Sequence, residues 1–388
     1  MRKIVFLFLT AAHIVTAQPK DVVPDISFNL INAPMEVTSI RALKGKIVVI
    51  EFWATWCGSC ITAMPHLNDL QNKYPDRLRI VSVSSETPGR IKKFLRARPS
   101  NVWFASDTAD IISGTFPHRL IPHTVLISPE GNLVANISPE SLTEETIEKL
   151  LRNEPVTLTE KADNTLTYEQ LLETNFYADD TVSKRFIIQP SIPGAPGFST
   201  NHLNSKTFSG RRITAVNCDI ANLYRLAYGN FPYNRTVDNI PSRESKSYCI
   251  DIIAEDKAQL LPQLKNELAA VFDITAVIRN ETKDVYALRV ADPIKLKTIP
   301  LSTSGQRTYY ARHGEVDQQG MTLSDLADYL ESYGVTGIPV VDETNITNRY
   351  DIRFSFQPED PTSLNHVLAD RGLVLEKTKR QIAILYLQ

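Results

Sequence analysis

The run Trp56-Cys57-Gly58-Ser59-Cys60, set just after the apolar stretch Lys46-Ile47-Val48-Val49-Ile50-Glu51-Phe52, constrains this chain more than any other feature. If a helix starts at the first cysteine, the second lies one turn deeper. A buried strand feeding such a helix places the first thiol beside unpaired backbone N–H groups, which favour its thiolate. The second thiol can then attack a mixed disulfide formed by the first. Zinc binding is the other use of this spacing. The chain has only 4 cysteines and 7 scattered histidines. A redox dithiol is therefore expected, with neither a metal nor a cofactor.

The N-terminus carries Arg2 and Lys3, an apolar stretch over residues 4–12, and Val15-Thr16-Ala17 before Gln18. This pattern predicts a signal peptide over residues 1–17. Its apolar core is too short to span a bilayer as a helix. The alternative, a buried first helix, fits poorly with the immediate break at Gln18-Pro19-Lys20-Asp21. No later segment has the length and freedom from charge of a membrane span. Export to an oxidising compartment, the bacterial periplasm or the exterior, suits disulfide chemistry. A formal net charge of −2 supplies no basic field for nucleic acid. The 388 residues leave room for about two or three domains.

Downstream of the signal, Pro24-Asp25-Ile26-Ser27-Phe28 alternates as a short strand, and residues 46–52 form a central strand. A helix is expected over about residues 57–74, kinked at Pro65. Strands over 79–83 and 124–127 flank a helix at 91–96. Pro129-Glu130-Gly131-Asn132 turns the chain into Leu133-Val134-Ala135, and a helix over 144–151 follows a Thr143 cap. Alternating strands and helices closed by a hairpin predict an α/β fold around a mixed sheet.

From Pro24 to about Arg152 the chain resembles the TlpA/ResA-like periplasmic thiol–disulfide oxidoreductases of the thioredoxin superfamily. The resemblance rests on Phe52-Trp53-Ala54-Thr55-Trp56-Cys57-Gly58-Ser59-Cys60, on Met64-Pro65, on Ile121-Pro122 before an apolar strand, and on Ser128-Pro129-Glu130-Gly131. It implies a thioredoxin-like three-layer domain over residues 18–155. Cys57 would be the attacking thiolate and Cys60 the resolving cysteine. Pro122, if cis, would face the disulfide, with Ile121 and its neighbours pairing with an extended substrate. Trp56 would shield the pair or pack in the core. Glu51 stands where thioredoxin keeps a buried aspartate, so it would accept the Cys60 proton; otherwise it reaches solvent at the strand end. His123 would stabilise the Cys57 thiolate, or else lie on the surface without effect. The implied partners are protein dithiols or disulfides and, for a reductase, a membrane thiol electron donor.

Residues 156–181 read as a linker, with a short helix near 168–172. Residues 182–388 read as a C-terminal α+β domain. A strand is expected at 186–189, a hairpin or two short strands at 207–215, and a helix at 219–228. Further strands fall at 248–253, 284–290, 350–356 and 381–387, with helices at 259–272, 322–333 and 363–371. This half resembles a domain of unknown function common in secreted proteins of soil bacteria and Bacteroidetes, through Leu223-Tyr224-Arg225-Leu226-Ala227-Tyr228-Gly229, Pro339-Val340-Val341-Asp342 and Asn348-Arg349-Tyr350-Asp351-Ile352. That resemblance implies no catalytic residues.

Cys218 and Cys249 are expected to form a structural disulfide. Separate buried thiols, or a relay with Cys57 and Cys60, are the alternatives. The leading expectation for the whole chain is a thiol–disulfide oxidoreductase of the cell envelope, acting as a reductase. The competing one is an envelope binding or scaffold protein whose C-terminal domain recognises a partner.

Overall fold

The all-apolar positions of residues 47–50 require burial on both sides, and the chain builds a layered sheet around them. The computed structural model describes residues 22–240, 246–304, 307–312, 314–332 and 336–388. The expected signal peptide and the helix end at 333–334 lie outside the described residues. Two compact units result, one running through Ala162 and the other comprising Asp163–Gln388.

In the first unit, in chain order, stand β1 (Ser27–Asn29), β2 (Val37–Ser39), β3 (Ile47–Phe52), α1 (Gly58–Lys73), β4 (Leu78–Ser84), α2 (Pro88–Ala97), β5 (Trp103–Ser106), α3 (Ile111–Thr115), β6 (His123–Ile127), β7 (Leu133–Ile137) and α4 (Glu144–Leu151). The main sheet has the order β5-β4-β3-β6-β7. β3 and β4 are parallel, whereas β6 runs antiparallel to both β3 and β7. Alternation sends Ile47 and Val49 into one core, with Cys60, Leu67 and Leu70 of α1. Val48, Ile50 and Phe52 enter the opposite core with Phe28, Ile112 and Phe116. The helices start where side chains satisfy their first N–H groups. Thr87 caps α2 and Thr143 caps α4 by accepting from Arg90 N and Thr146 N. Beyond α4 the chain remains on this unit, because Val156 is buried and Leu158 packs on the α1 side of the core.

The second unit opens with α5 (Tyr168–Phe176), whose Thr167 and Gln170 form a capping box. It continues with β8 (Arg185–Pro190), β9 (Phe198–Thr200), β10 (Arg212–Asp219), α6 (Ile220–Ala227), β11 (Thr236–Asp238), β12 (Ser247–Ile253), α7 (Leu260–Val271), β13 (Ala276–Val290) and α8 (Pro293–Leu296). Then come β14 (Tyr310–Arg312), β15 (Glu315–Met321), α9 (Leu323–Ser332), β16 (Val340–Asp342), β17 (Tyr350–Ser355), α10 (Pro361–Ala369) and β18 (Leu373–Leu387). Three sheets form among the described residues, in the orders β8-β12-β10-β9, β11-β18-β13-β16 and β14-β15-β17. Leu223 and Tyr224 of α6 and Leu264 and Leu268 of α7 pack on Ile250 and Ile252 of the first of these. α9 and α10 share a core with β15 and β17. The fold is therefore α/β in one unit and α+β in the other. The expected hairpin over 207–215 is instead a turn leading into the single strand β10.

Asp251, fully buried in β12, organises one end of this unit. Its carboxylate accepts from Arg185 Nε at 3.1 Å, from Arg212 Nε at 2.8 Å and from Thr214 Oγ1. Both arginines also donate to the Phe176 carbonyl at the end of α5. Two guanidiniums thus satisfy one carboxylate and an orphan helix carbonyl together.

Candidate redox site

The site is assembled where β3 ends and α1 begins. Trp53 turns inward against Phe94 and Phe104, with ring centroids 5.0 and 5.2 Å away. Thr55 is held by Glu86, which accepts from its backbone N–H and its hydroxyl, each at 2.7 Å. No local pattern marks Glu86, because Ser84-Ser85-Glu86-Thr87-Pro88 looks like an ordinary helix entry. Glu86 instead pins the loop that delivers Trp56 and Cys57.

Cys57 is the N-cap residue of α1, and its sulfur accepts from Cys60 N at 3.2 Å. Ser59 Oγ lies 3.5 Å from the same sulfur. When Cys57 is reduced, these donors face the position of a thiolate and favour it. Cys57 and Cys60 are joined by a disulfide with Cα atoms 5.2 Å apart. Both cysteines are buried, whereas Trp56, Gly58 and Ser59 beside them are exposed. The Ile121–Pro122 peptide bond is cis, and both residues are partly exposed.

Glu51 does not reach solvent; it is 2 % exposed. Strand pairing sets Ser82, Glu51, Thr124 and Ile137 in one row across the sheet. Alternation with Val49 turns Glu51 to the α1 face, the face of Cys60. Thr124 Oγ1 donates to Glu51 Oε2, while Oε1 is buried without a hydrogen-bond partner. Burial pushes the Glu51 carboxyl up to about 8, partly offset by the Thr124 hydroxyl and by the charge of Lys161. Its folded value thus stands above the unfolded carboxylate range, so the folded chain holds a proton that the unfolded chain releases. The stability this provides is complete below about pH 4 and is lost as pH rises to about 8. Glu51→Gln is expected to remove this slope and to stabilise the protein by on the order of 4 kcal/mol above pH 8. Urea unfolding at pH 5 and pH 9 checks it; the same pH slope in both proteins would show a solvated carboxylate.

His123 is a correction. It is neither on the surface nor on the Cys60 face: it is 4 % exposed and pairs with Phe52, so it shares the opposite face. There it stacks on His118, with ring centroids 4.9 Å apart. Burial removes it from a substrate-binding surface. Cys218 and Cys249 are a second correction, because both are free thiols. Cys218 pairs in register with Tyr248, not Cys249. Tyr248 and Cys218 pack with the α6 core, whereas Cys249 enters the separate cluster of Leu171, Phe176 and Val216. The two sulfurs therefore lie on opposite faces of the sheet. Burial raises the Cys218 thiol to about 11, which leaves it protonated.

Among the described residues no group of three or more His, Cys, Asp or Glu could hold a metal. No helix among them is long and apolar enough to cross a membrane. Asp342 and Asp351 are occupied locally, by Thr344 and by Gly320 N.

Residues 19–136 match the AhpC/TSA family. With the β5-β4-β3-β6-β7 sheet and the Cys57–Cys60 pair at the head of α1, this decides the first unit. It is a thioredoxin-fold domain. This thioredoxin-fold unit is 33% identical over 108 residues to thiol-disulfide oxidoreductase ResA of Bacillus cereus, covering 27% of this chain and 62% of that protein. It is 38% identical over 94 residues to the thioredoxin-like protein YneN of Bacillus subtilis, covering 24% and 48%. The chain thus spans less than two thirds of these relatives' own length. A solved structure, a putative thiol:disulfide interchange protein DsbE from Chlorobium tepidum, is 24% identical over 35% of this chain and 95% of that one, with a TM-score of 0.30. Residues 222–387 match a family described as a protein of unknown function, DUF3738.

Proposed function

We propose that this protein is a thiol–disulfide oxidoreductase that exchanges disulfides with cell-envelope proteins, acting as a reductase. The observation that carries the reading is the Cys57 sulfur at the head of α1, facing the Cys60 N–H and the Ser59 hydroxyl, with a buried carboxylate on the same sheet face. Likeness to proteins named thiol-disulfide oxidoreductases supports it.

In the reduced protein the Cys57 thiolate attacks a substrate disulfide. One substrate sulfur leaves as thiolate and Cys57 becomes part of a mixed disulfide. The ionised fraction of Glu51, a minority below about pH 8, takes the proton from Cys60, whose thiolate then attacks Cys57 Sγ. The Cys57–Cys60 bond forms, the second substrate sulfur leaves, and two electrons have passed to the substrate. In this reading Ile121, which packs on the core cluster holding both cysteines, and Pro122 border the approach, and exposed Trp56 shields the pair. A membrane thiol donor would return the two electrons.

Cleavage after Ala17 and residence in the periplasm or outside the cell follow from the N-terminal pattern and suit this chemistry. The domain scheme keeps a signal over 1–17, a redox domain from residue 18 and a second domain, of the kind found in secreted bacterial proteins, through residue 388; the linker expected over 156–181 shrinks, because Val156 and Leu158 pack on the first unit and α5 packs in the second.

Equilibration of the Cys57–Cys60 pair with glutathione, followed by tryptophan fluorescence, tests the direction. A potential of about −250 mV or lower, near thioredoxin, is expected. A value of about −120 mV would make the protein an oxidant of thiols.

A further inference from the structure

Residues 116–122 join α3 to β6 and carry the cis Ile121–Pro122 bond. Ile121 packs on the core cluster that holds Cys57 and Cys60. Among the described residues no hydrogen bond reaches its N–H or its carbonyl, so both can pair with an extended chain. The turn is braced at its ends. The His118 ring stacks on His123 with centroids 4.9 Å apart, packs on Phe52 at 4.2 Å, and meets the Phe116 carbonyl through Nδ1 at 2.9 Å. A third brace comes from outside the turn. Beyond α4, Val156 and Leu158 anchor the chain in the core, and Lys161 N donates to Asn136 O of β7 at 2.8 Å. The half-buried Lys161 side chain then crosses to the turn. Its ammonium donates to Leu120 O at 2.8 Å and lies 3.4 Å from His123 Nδ1, the two residues that bracket Ile121-Pro122. An ammonium only donates, so both contacts run from the lysine.

We propose that Lys161 is a positioning residue for polypeptide substrates: its clasp on Leu120 and His123 fixes the Ile121-Pro122 edge, along which the chain flanking a substrate disulfide is laid. The proposal rests on the exchange reading above and deepens it. Lys161 lies beyond residues 19–136, the part that matches the AhpC/TSA family, so the clasp is supplied by the segment that follows.

Fixing a turn costs conformational entropy. When the free protein already holds the turn in its binding form, that cost is not taken from the affinity for substrate. A charged donor on a partly buried carbonyl is among the stronger hydrogen bonds available for the purpose. The clasp acts through position alone. His123 pairs with Phe52 and shares its face of the sheet, opposite the face of Cys60 and Glu51. Lys161 therefore exchanges neither proton nor electron with the dithiol. A small disulfide, which has no chain to lay along the turn, gains nothing from it.

The test mixes the reduced full chain with one of two disulfides and follows its oxidation by tryptophan fluorescence. One substrate is a pair of linear peptides joined by a single disulfide, and the other is cystine. Lys161→Met is expected to lower the rate constant for the joined peptides about tenfold and that for cystine by less than about twofold. The substitution keeps the backbone bond to Asn136, so the segment stays docked. Lys161→Arg, which returns a cationic donor, is expected to bring the peptide rate constant back to within about threefold of the native value. An unchanged peptide rate constant in Lys161→Met, or in Lys161→Gln should the first chain unfold, overturns the proposal. Equal losses on the peptides and on cystine also overturn it, because they show that Lys161 only supports the fold. If the native chain reduces neither substrate, the exchange reading itself falls; native reduction of both, with peptide rates indifferent to Lys161, sinks only the clasp.

Discussion

Replacing Cys57 with serine is expected to abolish disulfide exchange, a loss on the order of a thousandfold or more, as for removal of a catalytic nucleophile. Replacing Cys60 with serine has a different consequence. Attack by Cys57 survives, resolution does not, and the protein accumulates covalently joined to its substrate. The distinction follows from the head of α1, where the Cys60 N–H and the Ser59 hydroxyl both face the Cys57 sulfur. Cys60 lies one turn further in, on the face shared with Glu51. Non-reducing mass spectrometry after mixing with a disulfide-bonded protein reads both results. Trapping by Cys57→Ser instead of Cys60→Ser would invert the two roles.

Asp251→Ala is expected to destabilise the second unit by about 3–5 kcal/mol, the range for removing one member of a buried ion cluster. The change strands Arg185 and Arg212, whose side chains are 19% and 7% exposed. It also loosens their hold on the Phe176 carbonyl, and so the end of α5. The spectroscopy separates the units. All 3 tryptophans, Trp53, Trp56 and Trp103, lie in the first unit, so their fluorescence follows that unit alone. Far-ultraviolet circular dichroism follows both. A circular-dichroism transition shifted to lower urea, with the fluorescence transition in place, is the expected pattern. A loss below about 1 kcal/mol would mean that the cluster is solvated and does not anchor α5.

The elements with a strong apolar period were legible in advance. The helix expected over 57–74 is α1 (Gly58–Lys73), and those expected over 219–228 and 259–272 are α6 (Ile220–Ala227) and α7 (Leu260–Val271). The long strands were read short. β13 and β18 each run for 15 residues, but only the ends at 284–290 and 381–387 were expected. The rest of each strand pairs with the expected end of the other and carries exposed Arg279 and Asn280 or Lys377 and Lys379, so no apolar alternation announces it. The same blindness applies to partners distant in sequence. Glu86 reaches Thr55, and Lys161 reaches Leu120, through contacts that no local pattern encodes.

What the sequence by itself determined is the chemistry of one turn: two thiols spaced for closure, ahead of a helix and behind a buried strand, with a carboxylate inside that strand. That much depends only on local spacing and on the cost of burying apolar residues wrongly. The tertiary structure decided which face each neighbour takes. Pairing with Phe52 turned His123 away from the Cys60 face, and the one-residue offset between Cys218 and Cys249 sent their sulfurs to opposite sides of the sheet. Side chains alternate along a strand, so a shift of one position in register reverses every assignment of face. Register is set by packing across the whole sheet, and only the folded chain holds that information.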